Sequence, residues 1–244
     1  MTWREFLEYY VYVQKCGGCQ TLLPDERNRS AFCSECYLQW MVAKTENCGE
    51  CFRPAVECTC MPKGLSATGA LCLRKLIFYR AERGDQPQNK VIYHLKRNPN
   101  RRMAYFIAEE LKPAVLNELT VLGKEALAEE CVLAAVPRGR SAKNKYGFDQ
   151  AELVCRALSD CLQIPYRAVL RRRLGGKEQK KLNRDRRFRN IRHLFLLKDE
   201  EAVRGKCVLL FDDVVTTGAS MAACVSLLRK AGASSVICLC IAQD

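Results

Sequence analysis

Apolar residues fall along this 244-residue chain in two different periods, and the alternation between them marks out its elements. Val208 to Phe211, behind Cys207, form a short continuous run of the kind expected for a parallel strand buried on both faces. The adjacent carboxylates Asp212 and Asp213 are expected to end it. Cys131 to Val136 is a second such run, and Ser235 to Ile241 reads as a closing strand beside the central one. Helical spacing governs residues 150–162, where positions 153, 154, 157, 158, 161 and 162 are apolar. A helix is also expected from about Met221 to Ala231, with Gly232 terminating it. Two helices are expected from Met103 to Lys112 and from Leu116 to Ala128, separated at Pro113, with Gly123 a weak point in the second. Trp3, Phe6, Leu7, Tyr10 and Val13 suit a short amphipathic helix with a packing role. From Ala70 onward the pattern predicts an α/β domain, with further apolar runs at Leu73 to Tyr79 and Val91 to Leu95.

The central strand is followed by an abrupt change of residue type. Thr216, Thr217, Gly218, Ala219 and Ser220 supply hydroxyls, small side chains and backbone amides where a helix begins, a favourable place to hold a phosphate. Carboxylates at the strand end, Asp212 and Asp213, can accept hydrogen bonds from vicinal ribose hydroxyls. A ligand carrying both a ribose and a 5'-phosphate suits this order. This strand-loop-helix stretch resembles the motif by which type I phosphoribosyltransferases bind phosphoribosyl pyrophosphate, with Ser220 where that family usually has Thr. In a doubly wound parallel sheet, ligands sit at the carboxyl ends of strands. The loop after the second run, with Arg138, Gly139, Arg140, Lys143 and Lys145, is therefore either a pyrophosphate site or a solvated basic turn.

Sixteen cysteines change the picture of the first sixty residues. Cys16 and Cys19, Cys33 and Cys36, Cys48 and Cys51, and Cys58 and Cys60 form four close pairs, with Gly17, Gly18 and Gly49 relieving crowding in the turns. Two pairs complete a closed tetrahedral thiolate site, so one or two structural Zn2+ ions are expected. Consecutive and interleaved pairings are equally compatible with the spacing. Such a segment is too small and polar to fold well on an apolar core alone. The expected division is residues 1–62 for an N-terminal helix and double zinc-ribbon segment, and 70–244 for the α/β domain. The remaining eight cysteines read as small core residues.

The net charge of +13 is concentrated. Between Arg171 and Arg192 there are eleven Lys or Arg against two acids, nine of the thirteen excess charges. Arg171, Arg172, Arg173, Lys177, Gln179, Lys180, Lys181, Arg184, Arg187 and Asn190 form either a track for single-stranded DNA or a hood closing over pyrophosphate. No run of eighteen apolar residues occurs, and the charged N-terminus suits neither a signal peptide nor a membrane span. The expected address is the cytoplasm, without membrane insertion.

Taken together, the chain resembles the ComF family. The resemblance rests on the cysteine pairs, on Tyr146-Gly147-Phe148-Asp149-Gln150-Ala151, on Gln179 with Arg187 and Asn190 and Phe195, and on Asp212 to Ser220. It implies a fold like that of type I phosphoribosyltransferases, phosphoribosyl pyrophosphate with Mg2+ as ligand, and single-stranded DNA handled during uptake and recombination, with competence helicase or recombination partners. Tyr146 and Asp149 replace the family's common Arg and Asn. Three functions stand side by side: a competence-type protein binding phosphoribosyl pyrophosphate and single-stranded DNA, a transferase moving the phosphoribosyl group to a base, and a zinc-dependent adaptor with a ligand-sensing site.

Overall fold

A computed structural model describes residues 15–23, 31–80, 87–97, 100–124, 126–139, 148–173 and 193–244. The helix expected at 3–13, Arg140, Lys143, Lys145, Tyr146 and Gly147, and residues 174–192 of the basic stretch lie outside the described residues. Helices α1 (Ser34–Lys44) and α2 (Lys63–Ser66) precede strand β1 (Cys72–Phe78). Then come α3 (Pro87–Arg97), α4 (Arg101–Val121), α5 (Leu127–Glu130), β2 (Cys131–Ala135), α6 (Gln150–Leu162), β3 (Leu170–Arg172) and β4 (Phe195–Leu197). The chain closes with β5 (Cys207–Val215), α7 (Ala219–Lys230) and β6 (Ser235–Gln243).

Strands β1, β6, β5 and β2, in that spatial order, form a parallel sheet, so the sequence's central run does lie in its interior. Cys207 to Phe211 are all buried, as a strand covered on both faces requires. One face carries Leu209 and Phe211 against α3, α4 and α6, and the other carries Val208 and Leu210 against α7. Helices on both faces of a parallel sheet make the doubly wound arrangement. Strands β3 and β4 pair separately as a short antiparallel ribbon.

Three expectations are corrected. Strand β5 does not stop at the carboxylates: it runs through Asp212 and Asp213 to Val215, because β6 continues beside it, pairing Asp212 with Cys240 and Val215 with Gln243. Met103 to Val121 is one helix, with Pro113 inside it. Pro113 and Glu109 both lie on the exposed side, where the carbonyl that proline leaves unpaired is open to water. The helix stops at Val121 instead of continuing to Ala128. Gly123, at φ +63°, closes it with Lys124 N–H donating to Leu119 C=O and Gly123 N–H to Thr120 C=O, the paired bonds of a Schellman cap. Asn100 caps the other end, accepting from Met103 N at 3.0 Å.

The cysteine segment shares a core with the sheet domain. Phe32, Trp40 and Phe106 of α4 pack together with ring centroids 5.1 to 5.8 Å apart. Trp40 is fully buried and its Nε1 donates to Glu110, which also accepts from Lys44 at 2.5 Å. Of the cysteines read as core residues, seven are buried and Cys161 is half-buried. Among the described residues no helix is long and apolar enough to cross a membrane.

Candidate functional site

The alternation of side chains along β5 sends its two carboxylates to opposite faces of the sheet. Asp213, 5% exposed, lies on the α3, α4 and α6 side. Its Oδ2 accepts from Arg138 Nη2 at 2.6 Å and from Gln150 Nε2 at 2.9 Å, with Lys96 Nζ at 3.3 Å. Three elements thus converge on one oxygen: the loop after β2, the first residue of α6 and the end of α3. Asp212 is half-buried on the α7 side, and its Oδ1 accepts from Asp213 N at 2.9 Å. Burial, and after it repulsion from Asp213, pushes the Asp212 carboxyl well above the ordinary carboxylate range.

Beyond Val215 the chain turns through exposed Thr216 and Thr217 into buried Gly218. Gly218 is the N-cap of α7 in a left-handed conformation, φ +69°, and no side chain caps the helix. The first intrahelical bond runs from Ala222 N to Gly218 O at 2.8 Å, so the amides of Ala219, Ser220 and Met221 have no partner within the helix. They point out of a twelve-residue helix whose dipole favours an anion.

Among the described basic residues, Arg138 and Gly139 lie on the loop after β2. Arg172 of β3 comes beside that loop, since a Cβ added at Gly139 would lie 3.5 Å from its Nη1. Arg171 and Arg173 are exposed, and Arg172 lies 5.9 Å from the Phe195 ring. Sequence reasoning gave no site role to Lys96 or Gln150. A buried glutamine at the start of an amphipathic helix, here 1% exposed, was the available sign, since such a group needs a polar partner. Nothing local distinguishes Lys96 from other helix-end lysines. Asp149, where the family commonly has Asn, retains the helix cap, accepting from Ala151 N at 3.1 Å.

The cysteines resolve into the consecutive pairing: Cys16, Cys19, Cys33 and Cys36 in one cluster and Cys48, Cys51, Cys58 and Cys60 in the other, ligand atoms within 4.8 Å of one another. The first pair of each cluster is built alike. Gly18 N donates to Cys16 Sγ and Glu50 N to Cys48 Sγ, both at 3.4 Å, and each turn ends in a left-handed residue, Gln20 or Phe52. A Cβ at Gly17 would meet the end of the Met103 side chain and come within 3.3 Å of the Ala31 carbonyl, so Gly17 does relieve crowding, whereas Gly49 has open space and relieves none. The Cys19 and Cys33 sulfurs are 3.7 Å apart, near the edge of about 3.8 Å of a tetrahedron with 2.3 Å Zn–S bonds. A hydrogen bond with the Thr21 hydroxyl lowers the Cys19 thiol to about 6, while burial pushes Cys36 up. The donor sets fit tetrahedral zinc.

The match to known proteins has two levels. Residues 131–244 match the family model described as the phosphoribosyl transferase domain, which agrees with the doubly wound parallel sheet. The DNA utilization protein YhgH of Escherichia coli (strain K12) is 32% identical over 158 residues, which cover 63% of this chain and 67% of that one. Its counterpart in Salmonella typhimurium is 30% identical over 157 residues with the same coverage. The chain belongs to the ComF family, together with these DNA utilization proteins. Among solved structures, a glutamine phosphoribosylpyrophosphate amidotransferase from B. subtilis is similar with a TM-score of 0.33 and 20% identity, over 46% of this chain and 22% of that one. The chain therefore spans less than a quarter of that enzyme. A hypoxanthine phosphoribosyltransferase from Trypanosoma cruzi gives a TM-score of 0.37 and 16% identity, over 57% of this chain and 63% of that one.

Proposed function

We propose that this chain binds phosphoribosyl pyrophosphate at the carboxyl end of β5 and engages single-stranded DNA through its basic stretch, as a cytoplasmic DNA-utilisation protein. The observation that carries the first half is the conjunction, in one strand-loop-helix unit, of a half-buried carboxylate at Asp212 with amides at Ala219, Ser220 and Met221 that have no partner within the helix. The amides and the hydroxyls of Thr216, Thr217 and Ser220 receive the 5'-phosphate, and Asp212 receives ribose hydroxyls. Asp213 anchors Arg138 and Lys96. A pyrophosphate arriving beside Gly139 competes for those cations.

Mg2+ suits this donor set because it takes phosphate and water oxygens with one or two carboxylates, which Asp212 and Asp213 offer. It would neutralise charge on the pyrophosphate. The two cysteine clusters hold structural zinc. For the DNA half, the support is the charge density of 171–192 and the names of the relatives.

The two ends of the ligand can be tested apart. Ribose 5-phosphate should raise the melting temperature of the wild type and of Arg138→Met alike, because neither the amides nor Asp212 is altered. Phosphoribosyl pyrophosphate with Mg2+ should lose most of its extra effect in Arg138→Met. Equal responses of the two proteins to phosphoribosyl pyrophosphate would remove Arg138 from the site, and no response to either ligand would remove the site.

A further inference from the structure

Lys75 is the least expected residue of the sheet. It sits in the middle of β1, in a strand whose seven residues are all buried, and is itself 1% exposed. An ammonium group removed from water must meet compensating charge and acceptors or lose its proton. Its donors go to Cys58 Sγ at 3.2 Å and to the Cys60 carbonyl at 2.6 Å, and to no described carboxylate. The Phe78 ring, with its centroid 5.6 Å from Nζ, covers another side. Both polar partners belong to the second cysteine cluster.

The first cluster is compensated differently. Its Cys16 sulfur accepts from the backbone amides of Gly18 and Cys33 at 3.4 and 3.3 Å. Each cluster has two buried cysteines, Cys16 and Cys36 in the first and Cys48 and Cys58 in the second, and those of the second pack against Phe78. Four thiolates around one Zn2+ carry a net charge of two minus. At the second cluster a buried cation, Lys75, lies against that charge.

We infer that Lys75 is a positioning residue for the second metal centre, an internal counter-charge hydrogen-bonded to Cys58 that makes retention of the ion at Cys48, Cys51, Cys58 and Cys60 depend on the sheet. The cluster is thereby tied to the ligand strand. Lys75 pairs in register with Cys240 of β6, which pairs with Asp212 of β5, so one row of the sheet runs from the metal centre to the candidate ligand carboxylate. Two residues beyond Cys60, Pro62 packs under Gly218 at the start of α7.

The test is metal release from the zinc-loaded full chain to a chromogenic chelator in excess. Outer-shell partners of metal ligands contribute about 10- to 100-fold in metal affinity. In Lys75→Met, one of the two zinc equivalents should therefore leave on the order of 10- to 100-fold faster. The other should leave at the wild-type rate, and Lys75→Arg should recover most of the loss. With Co2+ in place of zinc, Lys75→Met should also shift the sulfur-to-metal charge-transfer band to lower energy, which a purely packing role would not do. Unchanged release of both equivalents, or an unshifted band, would overturn the inference. If Lys75→Met does not fold, Cys19→Ser and Cys51→Ser decide with Lys75 intact. The Cys19→Ser chain, which keeps the second cluster whole, should hold its remaining ion longer, and equal or shorter retention would overturn the inference.

Discussion

Gly218→Ala separates the conformational demand of the ligand loop from its packing. Gly218 has φ +69°, a region that costs an L-residue about 1–2 kcal/mol. A Cβ added there would also lie 3.3 Å from both Cβ and Cγ of Pro62 and 3.4 Å from Cβ of Leu65. A proline ring cannot yield by changing rotamer, so this crowding adds on the order of 1 kcal/mol, the low end for overpacking. Gly123 supplies the control, because it has φ +63° but nothing within 4 Å of the added atom. Gly123→Ala should therefore cost about 1–2 kcal/mol and Gly218→Ala about 2–3 kcal/mol. At about 2–4 °C per kcal/mol for a chain of this size, thermal denaturation should place Gly218→Ala several degrees below Gly123→Ala. Only Gly218→Ala should also weaken binding of ribose 5-phosphate, because only there are the first α7 amides displaced. If Gly218→Ala melts as high as Gly123→Ala, the argument that Pro62 supports the loop is wrong.

Three further outcomes are expected. Because the folded-state pKa of Asp212 is raised above the unfolded value of about 3.9, the native chain binds more protons than the unfolded one just above that pH. Stability therefore falls as pH rises through the window from the unfolded to the folded value. Asp212→Asn should flatten that part of the profile and raise the melting temperature at neutral pH while abolishing ligand binding; a steeper profile would contradict the assigned burial. Stripping both metals with a chelator should move the emission of Trp40 to longer wavelength in a Trp3→Phe background, since its cover of Phe32 and Phe106 depends on the first cluster, whereas unchanged emission would mean that core stands without metal. Replacing Lys177, Lys180, Lys181 and Arg184 with Gln should make the salt dependence of oligonucleotide binding shallower by about 3 in log–log slope, at about 0.7 per phosphate contact on single strands. An unchanged slope would place the DNA elsewhere.

The parts of the fold legible in the sequence were those set by local, repeating demands. Strands buried on both faces read as unbroken apolar runs, which is why Val208 to Phe211 and Cys131 to Val136 stood out, the second strand itself ending at Ala135. The metal clusters were legible as pairs because two ligands must come from one turn, but their partnership depends on how α1 packs and was not written in the spacing. Pro113 misled because a helix break depends on whether the orphaned carbonyl faces water, a tertiary fact. The split roles of Asp212 and Asp213 follow from alternation along a strand that extends past them, which required knowing that β6 continues alongside. Lys75 was invisible for a similar reason: a lone lysine in an apolar run gives no sign that its anion, the Cys58 sulfur, lies seventeen residues earlier in the cysteine segment.

The central claim is that the β5–α7 unit is a working ligand site, and calorimetric titration with phosphoribosyl pyrophosphate and Mg2+ tests it most directly. Saturable binding by the zinc-replete wild type, absent from a folded Asp212→Asn/Asp213→Asn chain, is the expected result. Absence of binding by the wild type, or equal binding by the double variant, would contradict it.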